Sequence, residues 1–170
     1  MESVGRQAVY MKKIKYLVMD VDGTLTDGKI YMGSDGELFK AFNIKDGCGI
    51  HDLLPIAAIT PVIITGRSSL FLENRCKEIG VDILWQGQKD KVMALKEILA
   101  ARKGNCCEVA YIGDDINDLS CMNVIKESGG IVGCPADAVE RVKAIADFVS
   151  NYKGGEGAVR EFIDWLIEQG

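Results

Sequence analysis

The sequence predicts an α/β fold, a three-layer α/β/α sandwich built on a parallel, Rossmann-like sheet. Three observations predict it. Short apolar runs recur along the chain without polar alternation, the mark of strands buried on both faces. Segments with helical apolar spacing stand between them, as parallel strand connections require. Three of the runs end in polar clusters, at the carboxyl ends where open α/β sheets carry their ligands. The 170 residues suffice for one domain with a full core and are too few for two of ordinary size.

Residues 1–13 read as an N-terminal extension, and Met11 opens a stretch, "MKKIKYLVMD", that looks like a natural start. A single domain is expected over 14–170. Its first strand is "IKYLVMD". Residues 28–43, "GKIYMGSDGELFKAFN", then break the rhythm, because two β-rich stretches around "GSDGE" predict a hairpin that projects straight after the first strand. Two strands alone are marginal, and Ile30, Tyr31, Met32, Leu38, Phe39 and Phe42 give this hairpin an apolar side. That side predicts packing on another subunit; the alternative is that it folds back on its own domain. "TPVIITG" and "VDILWQG" follow as strands, with the helical "SSLFLENRCKEIG" between them. Val92, Leu95, Ile98 and Leu99 share one face of the next helix. "EVAYIGD", "GGIVG" and "ADFVS" complete the sheet, and Val159, Phe162, Ile163, Leu166 and Ile167 line one face of a C-terminal helix.

Composition excludes several classes. The net charge of −5 is spread along the chain and offers no basic face to a phosphate backbone, so nucleic acid is not an expected partner. Cys48, Cys76, Cys106, Cys107, Cys121 and Cys134 contain no C-x-x-C pair, and their spacing suits neither zinc nor a disulfide framework. They read as reduced thiols. No apolar run reaches the roughly 18 residues of a membrane span, nor does the N-terminus carry a signal-length apolar stretch. No membrane partner and a cytoplasmic location are the expectation.

The strand ends carry the chemistry. In an extended segment Asp20 and Asp22 project to the same side, where they repel unless something positive joins them. Asp114 and Asp115 close another strand on the same edge, and an all-oxygen acidic cluster suits a hard cation such as Mg²⁺. Such an ion keeps open positions for water and a substrate phosphate. Thr65 offers that phosphate a hydroxyl, Gly66 a closely approaching amide, and Lys91 an ammonium at a helix start, with Lys89 as a competitor. Each has a blander reading. Asp115, Asn117 and Asp118 taken singly could be turn formers or caps, Thr65 a helix cap, Lys91 a solvated charge and Arg67 half of a surface ion pair. His51, the lone histidine, reads as a rim or surface residue.

D-x-D-G-T at 20–24, Thr65, Lys91 and G-D-D-x-x-D at 113–118, in that order, resemble the haloacid dehalogenase (HAD) superfamily of aspartate-nucleophile phosphatases. The resemblance covers the chain from about Ile14. It implies that Asp20 attacks phosphorus, and that Asp22 protonates the leaving oxygen and then activates water. Asp20, the Asp22 backbone carbonyl and Asp114 would ligate Mg²⁺, with Asp115 and Asp118 supporting through water or outer bonds. Lys91 would orient the nucleophile and neutralise phosphate charge.

The gaps between motifs hold only the hairpin, short helices and a strand, which leaves no room for a cap domain. That capless layout, with "DGKIY", "ELFKAFNIKDGCGI", "IITGRSS", "QGQKDK", "AYIGDDINDL" and "GGEGAVRE", is similar to the 3-deoxy-D-manno-octulosonate 8-phosphate (KDO 8-P) phosphatases. The resemblance implies a homotetramer held by a central barrel of hairpins, a site partly covered by neighbouring subunits, and a place in lipopolysaccharide sugar biosynthesis. Arg67 would then meet sugar hydroxyls or carboxylate, and Asn117 would join Thr65, Gly66 and Lys91 around the substrate. His51 and the loop with Pro55 and Pro61 depart from the family pattern. Residues 154–160 could reach a neighbour's site or merely connect the last strand to the last helix. Alternatives are a phosphatase for sialic acid-type nonulosonate 9-phosphates and, from other classes, a phosphoacceptor receiver or an inactive assembly module.

Overall fold

The computed structural model describes residues 14–169; the expected extension at 1–13, with Met11, lies outside the described residues. The six runs read as strands form one sheet: β1 Tyr16–Met19, β4 Thr60–Ile64, β5 Ile83–Trp85, β6 Val109–Ile112, β7 Ile131–Cys134 and β8 Phe148–Val149. Their order is β5-β4-β1-β6-β7-β8 and every pairing is parallel. The chain leaves β1 toward β4 and β5, then returns to β6 and continues outward. A crevice therefore opens between the carboxyl ends of β1 and β6, the topological switch point where such sheets bind ligands.

Alternate side chains along the strands feed two cores. Leu17, Met19, Ile63, Ala110 and Ile112 face one layer, which includes Ile50, Leu54, Leu72, Val159, Phe162 and Ile163. Val18, Val62, Ile64, Val109 and Tyr111 face the other, which includes Leu95, Ile98, Leu99, Met122 and Ile125. This is the sandwich expected from unbroken apolar runs. The first layer is built by α1 Ile44–Cys48, which runs through a π-helical turn at Gly49–Leu53 into α2 Leu54–Ile56, together with α3 Leu70–Ile79 and the C-terminal helix. The second contains α4 Lys91–Arg102 and α5 Leu119–Glu127, with the short α6 Glu140–Lys143 beside them, and α7 Ala158–Gln169 ends the chain. One assignment shifts: Ile167, read as core-facing, is 38 % exposed, while Trp165 packs against the core beside Phe148 and Phe162.

The hairpin forms where the turn chemistry put it. β2 Tyr31–Gly33 and β3 Gly36–Phe39 pair antiparallel as a separate two-stranded sheet around Ser34 and Asp35. Tyr31 stacks on Phe39 at 4.5 Å. Ile30, Met32, Leu38 and Phe39 remain exposed, whereas Phe42, at the hairpin's end, folds back and packs against the core of its own chain.

Candidate active site

β1 stops because the chain curls at once: the amides of Thr24, Leu25 and Thr26 all donate to the Val21 carbonyl, at 2.9–3.1 Å. Gly23 sits in this loop at φ +96°, and a Cβ there would collide with the Asp114 carboxylate. The Thr24 hydroxyl donates to Asp114 Oδ1 at 2.9 Å. D-G-T therefore docks the first loop on the one that follows β6, with the Asp20 amide donating to the Ile112 carbonyl at 3.0 Å.

Asp118 organises the other side of the crevice. Its Oδ2 accepts from the Asp114 and Asp115 amides at 3.0 and 3.2 Å, and its Oδ1 accepts from the Tyr111 hydroxyl at 2.6 Å. Lys91, only 3 % exposed, donates to Asp118 Oδ1 at 2.8 Å and to Asp20 Oδ1 at 2.7 Å. Its place at the start of α4 follows from Asp90, whose side chain accepts from the Met93 amide as the helix cap. Lys89, the competitor, lies exposed at the surface.

Asp20, Asp114 and Asp118 each bring a carboxylate oxygen within 4.8 Å of the others. One ammonium faces three carboxylates. Burial, with repulsion from Asp118, holds the Asp20 carboxyl above the ordinary carboxylate range, and burial with repulsion from Asp20 does the same to Asp114. Burial would lower the Lys91 ammonium, but Asp20 and Asp118 outweigh it and hold it above its usual value. Burial likewise keeps the Tyr111 hydroxyl far above its usual range, so it stays a donor. An all-oxygen, under-neutralised set of this kind fits a hard divalent cation. Asp118 already accepts four donors, so Asp20 and Asp114 are the carboxylates with coordination to spare.

The remaining expected residues fall into two groups. Thr65 is buried at the end of β4, and Gly66 is exposed beside it. Ser69, not Thr65, stands at the N-cap of α3. Arg67 is 39 % exposed and pairs with Glu37 at 3.5 Å. Asn117 is exposed at the rim and His51 is exposed beside Asp52, away from the cluster. Two side chains differ from expectation. The Asp115 carboxylate turns to its own helical turn and accepts from the Ile116 amide at 2.7 Å. Asp22 does not project with Asp20, because the chain has already left the extended conformation; its carboxylate pairs with Lys40 at 2.5 Å. Only its backbone carbonyl is left to join a metal at the cluster. Sequence reasoning gave no role to Thr24, Lys40 or Tyr111. Thr24 was legible within D-G-T, whereas Tyr111 read as one more core residue of its strand.

The glycine-rich segment at 154–160 packs on the site's own loop. The Gly155 amide donates to the Thr24 carbonyl at 3.1 Å, Gly154 donates to Asp137 Oδ1 at 2.9 Å, and a Cβ on Gly154 would collide with the Gly23 carbonyl.

No protein-family model matches the chain. It is 44 % identical over 154 residues to the 3-deoxy-D-manno-octulosonate 8-phosphate phosphatase KdsC of Yersinia pestis, covering 91 % of this chain and 80 % of the relative. The structure of the corresponding phosphatase of Moraxella catarrhalis, in complex with magnesium ion, phosphate ion and KDO, superposes with a TM-score of 0.88 at 36 % identity, over 97 % of this chain and 92 % of that one. A hydrolase of HAD subfamily III A from Legionella pneumophila superposes with a TM-score of 0.88 at 34 % identity, over 97 % and 88 % of the two chains.

Proposed function

This chain belongs to the KDO 8-P phosphatase family of the HAD superfamily, and from that premise we propose that it frees phosphate from 3-deoxy-D-manno-octulosonate 8-phosphate through an aspartyl-phosphate on Asp20. It is a Mg²⁺-dependent phosphomonoester hydrolase of lipopolysaccharide sugar biosynthesis. The observation that carries the reading is the buried Lys91 bonded to both Asp20 and Asp118, beside Asp114, at the switch point of the sheet.

The Asp20 carboxylate attacks phosphorus, and the P–O bond to the sugar breaks as Asp22 gives its proton to the leaving oxygen. Water then attacks phosphorus, Asp22 takes a proton from it, the acyl-phosphate bond breaks and Asp20 is restored. Asp20, Asp114 and the Asp22 carbonyl would hold Mg²⁺, with Asp118 behind them and Asp115 in support through water, and the bound ion would supply positive charge to the phosphoryl oxygens. Lys91 neutralises the nucleophile's surroundings, and Thr65 and Gly66 hold phosphate oxygens. Arg67 reads the acidic sugar, with Asn117 at the rim.

Residues 14–170 act as one phosphatase domain. Four chains assemble through their hairpins and neighbours help close the site; the exposed Ile30, Met32, Leu38 and Phe39 support this. The enzyme works in the cytoplasm, where its six free thiols stay reduced. No helix among the described residues is long and apolar enough to cross a membrane. Phosphate release with and without Mg²⁺, across the octulosonate 8-phosphate, nonulosonate 9-phosphates and hexose phosphates, tests the reading. The expected result is metal-dependent turnover with preference for the eight-carbon acid; a nine-carbon preference would move the substrate, and inactivity on all three would overturn the activity.

A further inference from the structure

The hairpin has a polar side that the apolar one conceals. Lys40 follows directly on β3, and its side chain is only 5 % exposed. Its ammonium donates to Asp22 Oδ1 at 2.5 Å and pairs with Glu37 Oε1 at 3.0 Å. Glu37 in turn accepts from the Ser69 hydroxyl at 2.7 Å and pairs with Arg67 at 3.5 Å. Burial works against the Glu37 carboxylate, yet Ser69, Lys40 and Arg67 together hold it below its usual range, so it stays charged within this chain of contacts. Ser69 is itself fixed, its amide donating to the Gln86 side chain at 2.8 Å. Asp22, Lys40, Glu37 and then Arg67 with Ser69 thus run without a break from the loop after β1, through the hairpin, to the loop after β4 that carries Thr65.

We propose that Lys40 is a positioning residue for Asp22, and that the Lys40–Glu37 pair makes the hairpin a working part of the site. The proposal rests on Asp22 being the acid/base. Asp22 stands on a tight loop with a short side chain, and among the described residues its one charged partner is Lys40. A carboxylate that must serve both a leaving oxygen and a water has to be held in one place, because small displacements of a catalytic group are expensive in rate. A nearly buried lysine with two carboxylate partners is a stiff anchor, unlike an exposed ion pair free to rearrange.

The test is a kinetic cycle on the full chain with Mg²⁺ and 3-deoxy-D-manno-octulosonate 8-phosphate. Lys40→Met should lower kcat about 10- to 100-fold, a fraction of a general acid/base contribution, while KM stays within about threefold. Glu37→Gln, which leaves Lys40 its bond to Asp22, should lower kcat by about three- to tenfold and serves if the first variant folds poorly. Asp22→Asn should lose most turnover, and adding Lys40→Met to it should cost no further activity, because the group Lys40 serves is gone. Full kcat in both Lys40→Met and Glu37→Gln, or an undiminished loss from Lys40→Met in the Asp22→Asn background, overturns the proposal. Wild-type turnover in Asp22→Asn overturns instead the acid/base assignment beneath it.

Discussion

Lys91 answers only part of the charge around it, and the residue scale follows from that imbalance. Asp20 and Asp114 are held above the carboxylate range by burial, with Asp118 repelling the first and Asp20 the second. Asp20→Asn removes one member of the repelling set while keeping its shape. The variant should release no phosphate, and without metal its Tm should equal or exceed that of the parent by a few degrees, as differential scanning fluorimetry would show. A variant that turned over at the parent's rate would end the nucleophile assignment. The five acidic positions, Thr65 and Lys91 could be placed at the strand ends and helix start from sequence because the motifs fix their order along the chain. How the work divides among them was not. Asp118 and Asp115 are three residues apart in one turn, and only the folded loop shows that Asp118 gathers Lys91, Tyr111 and two amides while Asp115 caps its own turn.

Elements decide what single residues cannot. The hairpin's location was readable from the "GSDGE" turn and its apolar side from Met32 and Leu38. Its polar side was not, because no spacing rule links Lys40 to a carboxylate 18 residues earlier in a loop. Charging the apolar side should leave each chain folded and weaken its association: Met32→Glu with Leu38→Glu is expected to shift light-scattering mass to smaller species, and unchanged mass would remove the hairpin from the interface. The segment at 154–160 makes the opposite point, since its glycines left reach to a neighbour and simple connection both open and the fold uses them for contact. Gly154→Ala drives a methyl group into the Gly23 carbonyl, so it should cost about 1–3 kcal/mol in urea unfolding and weaken Mg²⁺ binding with it. Parent-like stability and metal affinity would show the contact to be dispensable.

Across the whole molecule, stability depends on a carboxylate remote from the phosphate chemistry. Asp46 on α1 accepts from the Arg160 amide at 2.8 Å at the start of α7, but its Oδ2 is buried without a partner among the described residues. Burial pushes its carboxyl up to about 6. The folded chain therefore holds this proton more tightly than the unfolded one, and the resulting stability is full near pH 4 and lost as pH rises through 6. The loss amounts to roughly 3 kcal/mol. Asp46→Asn should lack that part of the slope in urea unfolding between pH 4.5 and 7.5, so its advantage over the parent grows with pH; parallel curves would show that Asp46 titrates normally.

The switch point also has a consequence in time. Lys91 meets Asp20 across 71 residues and Thr24 meets Asp114 across 90, so none of these bonds forms locally. Such contacts are the slow ones in folding, since chain entropy must be surrendered before they form. A growing chain that has displayed D-x-D-G-T and Lys91 but not yet β6 holds Asp20 without Asp114 or Asp118 beside it. The ability to bind metal therefore arrives late and all at once, a natural signal that the sheet has closed.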